Sequence, residues 1–163
     1  MLSRLISGLI FLFWIFIVIV YPMLISIYVV LPLFIGFSGL MFIKGLDEDN
    51  YLYIIFSFIY ILNLELNLSL PLMLIVTSIL FFYFFIKPKL TFLKLCPICI
   101  NVATVIFVDV IYFIFLALYD FATEQSSINY DSLILFSVLY DLIAAVLIWS
   151  IKLYYYLWLA FGV

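Results

Sequence analysis

Residues 95–119 read Leu95-Cys96-Pro97-Ile98-Cys99-Ile100-Asn101-Val102-Ala103-Thr104-Val105-Ile106-Phe107-Val108-Asp109-Val110-Ile111-Tyr112-Phe113-Ile114-Phe115-Leu116-Ala117-Leu118-Tyr119, with one aspartate as the only charge. As a helix these 25 residues reach about 37 Å, more than the roughly 30 Å of hydrocarbon in a bilayer. The run is continuously apolar, without the period-2 alternation of a membrane β-strand, so a helix is expected. Composition extends the reading outward: 71% of the 163 residues are hydrophobic and 9% charged. A soluble domain carries about a quarter charged residues to cover its surface. In lipid every backbone polar group must be satisfied within the chain, which restricts the choice to helices or a closed barrel. The expected fold class is therefore an all-α integral membrane protein.

Punctuation divides the chain into six expected spans within one polytopic domain, 1–163. They cover about 5–20, 23–43, 51–62, 69–86, 95–119 and 132–151. The first ends at Tyr21-Pro22, and Pro32 with two glycines is expected to bend the second. The polar loop Lys44–Asn50, the turn Asn63–Asn67, the breaker Lys87-Pro88-Lys89 and the polar stretch Asp120–Asp131 separate the rest. The apolar run from Leu5 to Ile43 lacks an Ala-x-Ala cleavage pattern and reads as retained helices rather than a signal peptide. With six spans and a cytoplasmic N-terminus, all six basic residues (Arg4, Lys44, Lys87, Lys89, Lys94 and Lys152) fall on the cytoplasmic side. A wrong span count would scatter them over both faces. Tyr21 and Tyr119 near the outer boundary, and Tyr154–Tyr156 with Trp158 at the inner one, read as an interfacial aromatic belt. The tail, residues 157–163, continues the last helix or lies along the inner surface.

The chemistry on offer is narrow. Histidine is absent, which removes the commonest general base and metal ligand. Neither a phosphate-cradling glycine loop nor a serine nucleophile elbow is present, and six scattered basic residues make no nucleic-acid stripe. No enzyme activity, cofactor or metal is expected. Cys96-Pro97-Ile98-Cys99 has the spacing of a redox pair at a helix N-terminus. It falls on the side assigned to the reducing cytoplasm, without a second pair to relay electrons, so inert thiols are the plainer reading. Asp109 and Asp141 each fall roughly 15 Å deep, at similar height on sequential antiparallel helices. Buried acids are costly in lipid and should face protein or water. At least one is expected to be protonated and to donate a hydrogen bond, with Tyr112, Ser137 or a partner as acceptor. A transporter would use the pair as a proton or cation site, a scaffold as helix–helix glue; a third reading leaves both aspartates capping water-filled crevices with no specific role. Glu65, in the outer turn with Asn63 and Asn67, is expected to be solvated. The acidic run Asp47-Glu48-Asp49 reads as a solvated cytoplasmic loop that a basic partner could recognise.

Three segments resemble a known family. Phe56-Ser57-Phe58-Ile59-Tyr60-Ile61-Leu62-Asn63-Leu64-Glu65, continued by Ser69-Leu70-Pro71-Leu72, is similar to the third-to-fourth helix turn of the rod shape-determining MreD family. Val105-Ile106-Phe107-Val108-Asp109-Val110-Ile111 resembles its fifth helix, and Val138-Leu139-Tyr140-Asp141-Leu142-Ile143 lies where its last helix has a Leu-Trp-Pro. The family's third-helix glycines and its Trp-Pro pair are missing here, and Glu65 stands where an aspartate is usual. The resemblance implies a non-enzymatic subunit of the bacterial inner membrane with six helices and both ends cytoplasmic. It implies an MreC-like partner, and through it coupling of cytoplasmic filaments to a RodA-like polymerase and its transpeptidase in sidewall peptidoglycan synthesis. The implied bundle is similar to the substrate-binding subunits of energy-coupling-factor vitamin transporters, which keeps a transporter subunit as the alternative.

Overall fold

The computed structural model describes residues 2–28, 31–90, 97–123 and 137–147, and these residues form helices and no strand. In chain order they are α1 Leu2–Ile27, α2 Ile35–Asp47, α3 Tyr51–Asn67, α4 Leu74–Phe81, α5 Pro97–Thr123 and α6 Ser137–Leu147. A π-helical turn, Phe82–Ile86, continues α4. One helical segment of the described residues, Ile98–Thr123, is long and apolar enough to cross a membrane; Ile15–Ile27, Tyr51–Asn67 and Ser137–Leu147 are shorter and apolar. Cys96, Lys94, Lys152 and the inner aromatic cluster lie outside the described residues, as does most of the stretch Asp120–Asp131.

Among the departures of the helix bounds from the sequence-based ones, three stand out. The expected break at Tyr21-Pro22 is absent, and α1 runs through Pro22 to Ile27. A proline inside a helix withholds the N–H that the carbonyl four residues earlier would accept. Here that carbonyl is Val18, and the Asn63 side-chain amide of α3 donates to it at 3.2 Å and to Ile19 O at 2.8 Å. A neighbouring helix thus supplies the missing donor and the helix continues. Next, α2 starts twelve residues later than expected, at Ile35, so Pro32 lies in an irregular connection rather than in a bent helix. Last, α3 extends through the expected turn at Asn63–Asn67 to end at Asn67. The Asn67 amide donates back to Asn63 O and Oδ1, both at 2.7 Å, holding that final turn.

Local signals explain three further ends. Asn50 caps α3 by accepting from the Leu52 N–H at 3.2 Å. Pro97 opens α5, where its missing N–H costs nothing. The tight turn between α2 and α3 takes Asp49 into left-handed backbone at φ 51°, a conformation aspartate tolerates better than most residues.

Helix α2 is the hub. It packs on α3, α4 and α5, and it meets α6 through the small cluster Leu40, Val105, Ala145 and Leu142. Eight of its thirteen residues are buried, three of them glycines, which lets neighbours approach its backbone. A β-carbon on Gly39 would fall 2.8 Å from Val108 Cγ1 of α5 and 3.3 Å from Ile79 Cγ1 of α4. The main core gathers Ile35, Ile43, Ile61, Leu64, Ile75, Ile79, Phe82, Val108 and Tyr112 around it. The outside is apolar too: Phe16, Ile55, Phe84, Phe85, Ile114, Leu118 and Leu147 are exposed, while Glu65, Asp109 and Asp141 are buried.

Candidate functional site

Helix α2 begins inside the protein without a cap of its own. Its N-cap position is Phe34, in left-handed backbone at φ 49°, with no side-chain hydrogen bond to the first turn. An aromatic residue there costs of order 1–3 kcal/mol and persists only where its surroundings hold it. The holding contacts are specific. Tyr21 of α1 donates its hydroxyl to Pro32 O at 2.8 Å, and Tyr60 of α3 donates to Leu33 O at 2.7 Å. The Tyr21 ring also packs on the Phe34 ring, with centroids 5.4 Å apart.

The cap comes from two other helices. Asp141 Oδ2 of α6 accepts from the Gly36 N–H at 2.8 Å, and the Asp109 carboxyl of α5 lies against the same glycine. A β-carbon on Gly36 would fall 2.7 Å from Asp109 Oδ2 and 2.8 Å from its Cγ, so only glycine lets the carboxyl reach the helix start. Asp109 is 1% exposed and Asp141 fully buried, and both carboxyls lie at Gly36, Asp109 against its α-carbon and Asp141 on its N–H. The positive end of the α2 dipole therefore faces two acidic side chains, which is electrostatically favourable. Sequence spacing anticipated the pairing of Asp109 with Asp141. It did not anticipate that a backbone N–H of α2 would be the donor on Asp141.

The start of α4 repeats the arrangement. Met73, at its N-cap, has φ 67° and offers no side-chain cap. Glu65 of α3 supplies it: Oε2 accepts from the Met73 N–H at 2.8 Å and Oε1 from the Ile75 N–H at 2.9 Å. The expectation that Glu65 is solvated is overturned, since the residue is fully buried. Extension of α3 through the expected turn carries Glu65 inward, and the uncapped N–H groups of α4 give its carboxylate a partner that water would otherwise provide.

The other candidates lie apart from this centre. Cys99 is exposed in the first turn of α5 and disulfide-bonded, whereas the plainer sequence reading had it as a thiol; Cys96 lies outside the described residues. Asp47, at the end of α2, pairs with Lys87 beyond α4, and the Lys87 ammonium sits 4.6 Å from the centre of the Tyr83 ring. Sequence reasoning missed Gly36, Asn63, Tyr21 and Tyr60 as site-forming residues. The signal for Asn63 was Pro22, whose missing N–H demands a substitute donor; which residue supplies it depends on helix pairing.

The acid pair and the Asp47–Lys87 pair lie at opposite ends of α2. From Gly36 to Asp47 is eleven residues, about 17 Å of helix. No family model, curated protein or solved structure matches the chain.

Proposed function

We propose that this chain is a six-span, non-enzymatic scaffold subunit of the bacterial inner membrane, of the kind the MreD resemblance implies. The observation that carries this reading is the use made of the buried carboxyl groups. Glu65 accepts hydrogen bonds at the start of α4, Asp141 does so at the start of α2, and Asp109 packs beside it. Acids used this way fasten the chain's own broken helices, and its apolar exterior is left for lipid and partner helices. Phenylalanines outside and carboxyls inside invert the pattern of a water-soluble domain. The Asp47–Lys87 pair supports the proposed topology, because it joins two segments assigned to the cytoplasmic side. In this reading the bundle binds an MreC-like protein and, through it, the RodA-like polymerase and transpeptidase of sidewall synthesis.

A vitamin-type or proton-coupled transporter subunit is the second reading. Two observations favour it. Helix α2 starts at the buried residues Ile35 and Gly36, and discontinuous helices with termini facing charged groups are how many transporters build mid-membrane sites. Asp109 Oδ2 and Asp141 Oδ1 are also buried without a hydrogen-bond donor.

The deciding experiment is a gentle-detergent purification of the tagged chain from its native membrane, with co-purifying proteins identified. Recovery of MreC-type and cell-wall synthesis proteins is the expected result. Recovery of an ATPase module, or of the chain alone, would overturn the scaffold reading in favour of transport.

A further inference from the structure

The acid pair at the start of α2 has two buried oxygens that no donor reaches. Asp141 Oδ2 takes the Gly36 N–H, whereas Asp141 Oδ1 and Asp109 Oδ2 are buried and accept from no N–H or O–H. An unsatisfied buried polar atom costs about 1–3 kcal/mol, and more when charged. Two adjacent carboxylates would add mutual repulsion, which buried acid pairs relieve by sharing a proton. Among the described residues the neighbours supply no counter-charge. The sequence has no lysine or arginine between residues 95 and 151, so α5 and α6 carry none. On α2 the nearest is Lys44, eight residues or about 12 Å beyond Gly36. The hydroxyls of Tyr21 on α1 and Tyr60 on α3, near this helix start, are committed to carbonyls of the 32–33 segment. Tyr112, three residues after Asp109 on α5, is buried.

From this geometry we infer that Asp109 and Asp141 form a binding site for a single proton, with Asp109 the acid and Asp141 the ionised acceptor. The assignment follows from the hydrogen bonds. The Gly36 N–H and the α2 dipole favour negative charge on Asp141, so its free oxygen accepts an O–H from Asp109. One proton from water then satisfies both orphaned oxygens and leaves one negative charge against the helix start. A metal cation fits less well. It requires several converging oxygens, and here it would lie against N–H groups at the positive end of a helix. Among the described residues no third acidic, cysteine or histidine side chain joins the pair. The site does not depend on the scaffold reading, since a scaffold and a transporter could each hold it. Failure to recover cell-wall partners would leave it untouched.

The test is infrared spectroscopy of the full chain in lipid bilayers at neutral pH. The expected result is a protonated-carboxyl C=O band that shifts in heavy water, shifts again on carboxyl-13C labelling of aspartate but not of glutamate, and is lost in Asp109→Asn. In Asp141→Asn the band should survive at a shifted position, because Asp109 stays protonated against an amide. The aspartate labelling keeps the assignment testable on the unaltered chain should Asp109→Asn fail to insert. Absence of any acid band, a band that moves with glutamate labelling, or one unchanged in Asp109→Asn would overturn the site. Bleaching of the band by sodium or potassium would do so too, by showing that a cation takes the proton's place.

Discussion

Replacing Glu65 by alanine removes the cap of α4 and nothing else of comparable strength. Two backbone donors lose their acceptor, the N–H groups of Met73 and Ile75, now bonded at 2.8 and 2.9 Å. A buried donor left unsatisfied costs about 1–3 kcal/mol. The Ile75 N–H is enclosed and takes the full value; the Met73 bond is only partly buried and takes the lower end. Loss of a negative group at a helix N-terminus adds up to about 2 kcal/mol in a partly buried setting. Against this, alanine no longer desolvates a carboxylate, which returns part of the sum. A net loss of about 2–5 kcal/mol follows, at least roughly thirty-fold in the folding equilibrium at 1.4 kcal/mol per decade. Glu65→Gln keeps one acceptor oxygen but turns an NH2 toward the second donor, so it should fall between alanine and the native residue. The assay is reversible unfolding in mixed micelles by sodium dodecyl sulfate titration, with hydrogen exchange read at Met73 and Ile75. The reasoning fails if Glu65→Ala unfolds within about 0.5 kcal/mol of the native chain, the range of an uninvolved surface change. It also fails if protection at those two amides is unaltered.

Gly36→Ala should destabilise the bundle by about 1–3 kcal/mol, because its new methyl meets the Asp109 carboxyl at 2.7 Å; the same unfolding titration reads the loss, and a neutral result would mean that the acid pair does not press on the α2 start. Asn63→Leu should cost about 1 kcal/mol by removing the donor on the Val18 carbonyl, which Pro22 leaves without its helical partner. Pro22→Ala restores the missing N–H, so the double variant should show coupling of at least about 0.5 kcal/mol, and strict additivity would contradict the donor-substitution account. Asp47→Asn breaks a partly exposed ion pair and should change stability by no more than about 1 kcal/mol, with the loss shrinking in high salt. The Cys96→Ser, Cys99→Ser double variant should recover the same partners as the native chain; complete loss of recovery would point to redox chemistry at the pair.

How much was legible beforehand differs from element to element. The helical class was readable, because an uninterrupted apolar run such as 95–119 has only one economical structure in lipid. So was the pairing of Asp109 with Asp141, since spacing from the ends of two sequential spans fixes their relative height. The helix bounds were less so. Pro22 is a helix breaker by every local rule, and α1 passes through it because Asn63, 41 positions away in sequence, replaces the lost donor. Pro32 and the glycines suggested a bent helix, but Tyr21 and Tyr60 hold an irregular connection there instead. Glu65 looked solvated because a polar turn was expected around it; the turn is helix, and the carboxylate points at α4.

The sequence by itself determined that the chain is helical and apolar on nearly every face, and that its few acids would be conspicuous. Those properties follow from composition and from the need to satisfy backbone groups locally, and neither depends on which helix meets which. Only the tertiary structure decided where the helices start and what the acids do. Phe34 and Met73 give no capping signal of their own, and the groups that cap their helices sit on other helices, Glu65 eight residues before Met73 and Asp141 105 positions after Gly36. Those caps are carboxyl groups from α3, α5 and α6, and a hydrogen bond such as Gly36 to Asp141, between residues 105 positions apart, exists only once the helices are packed.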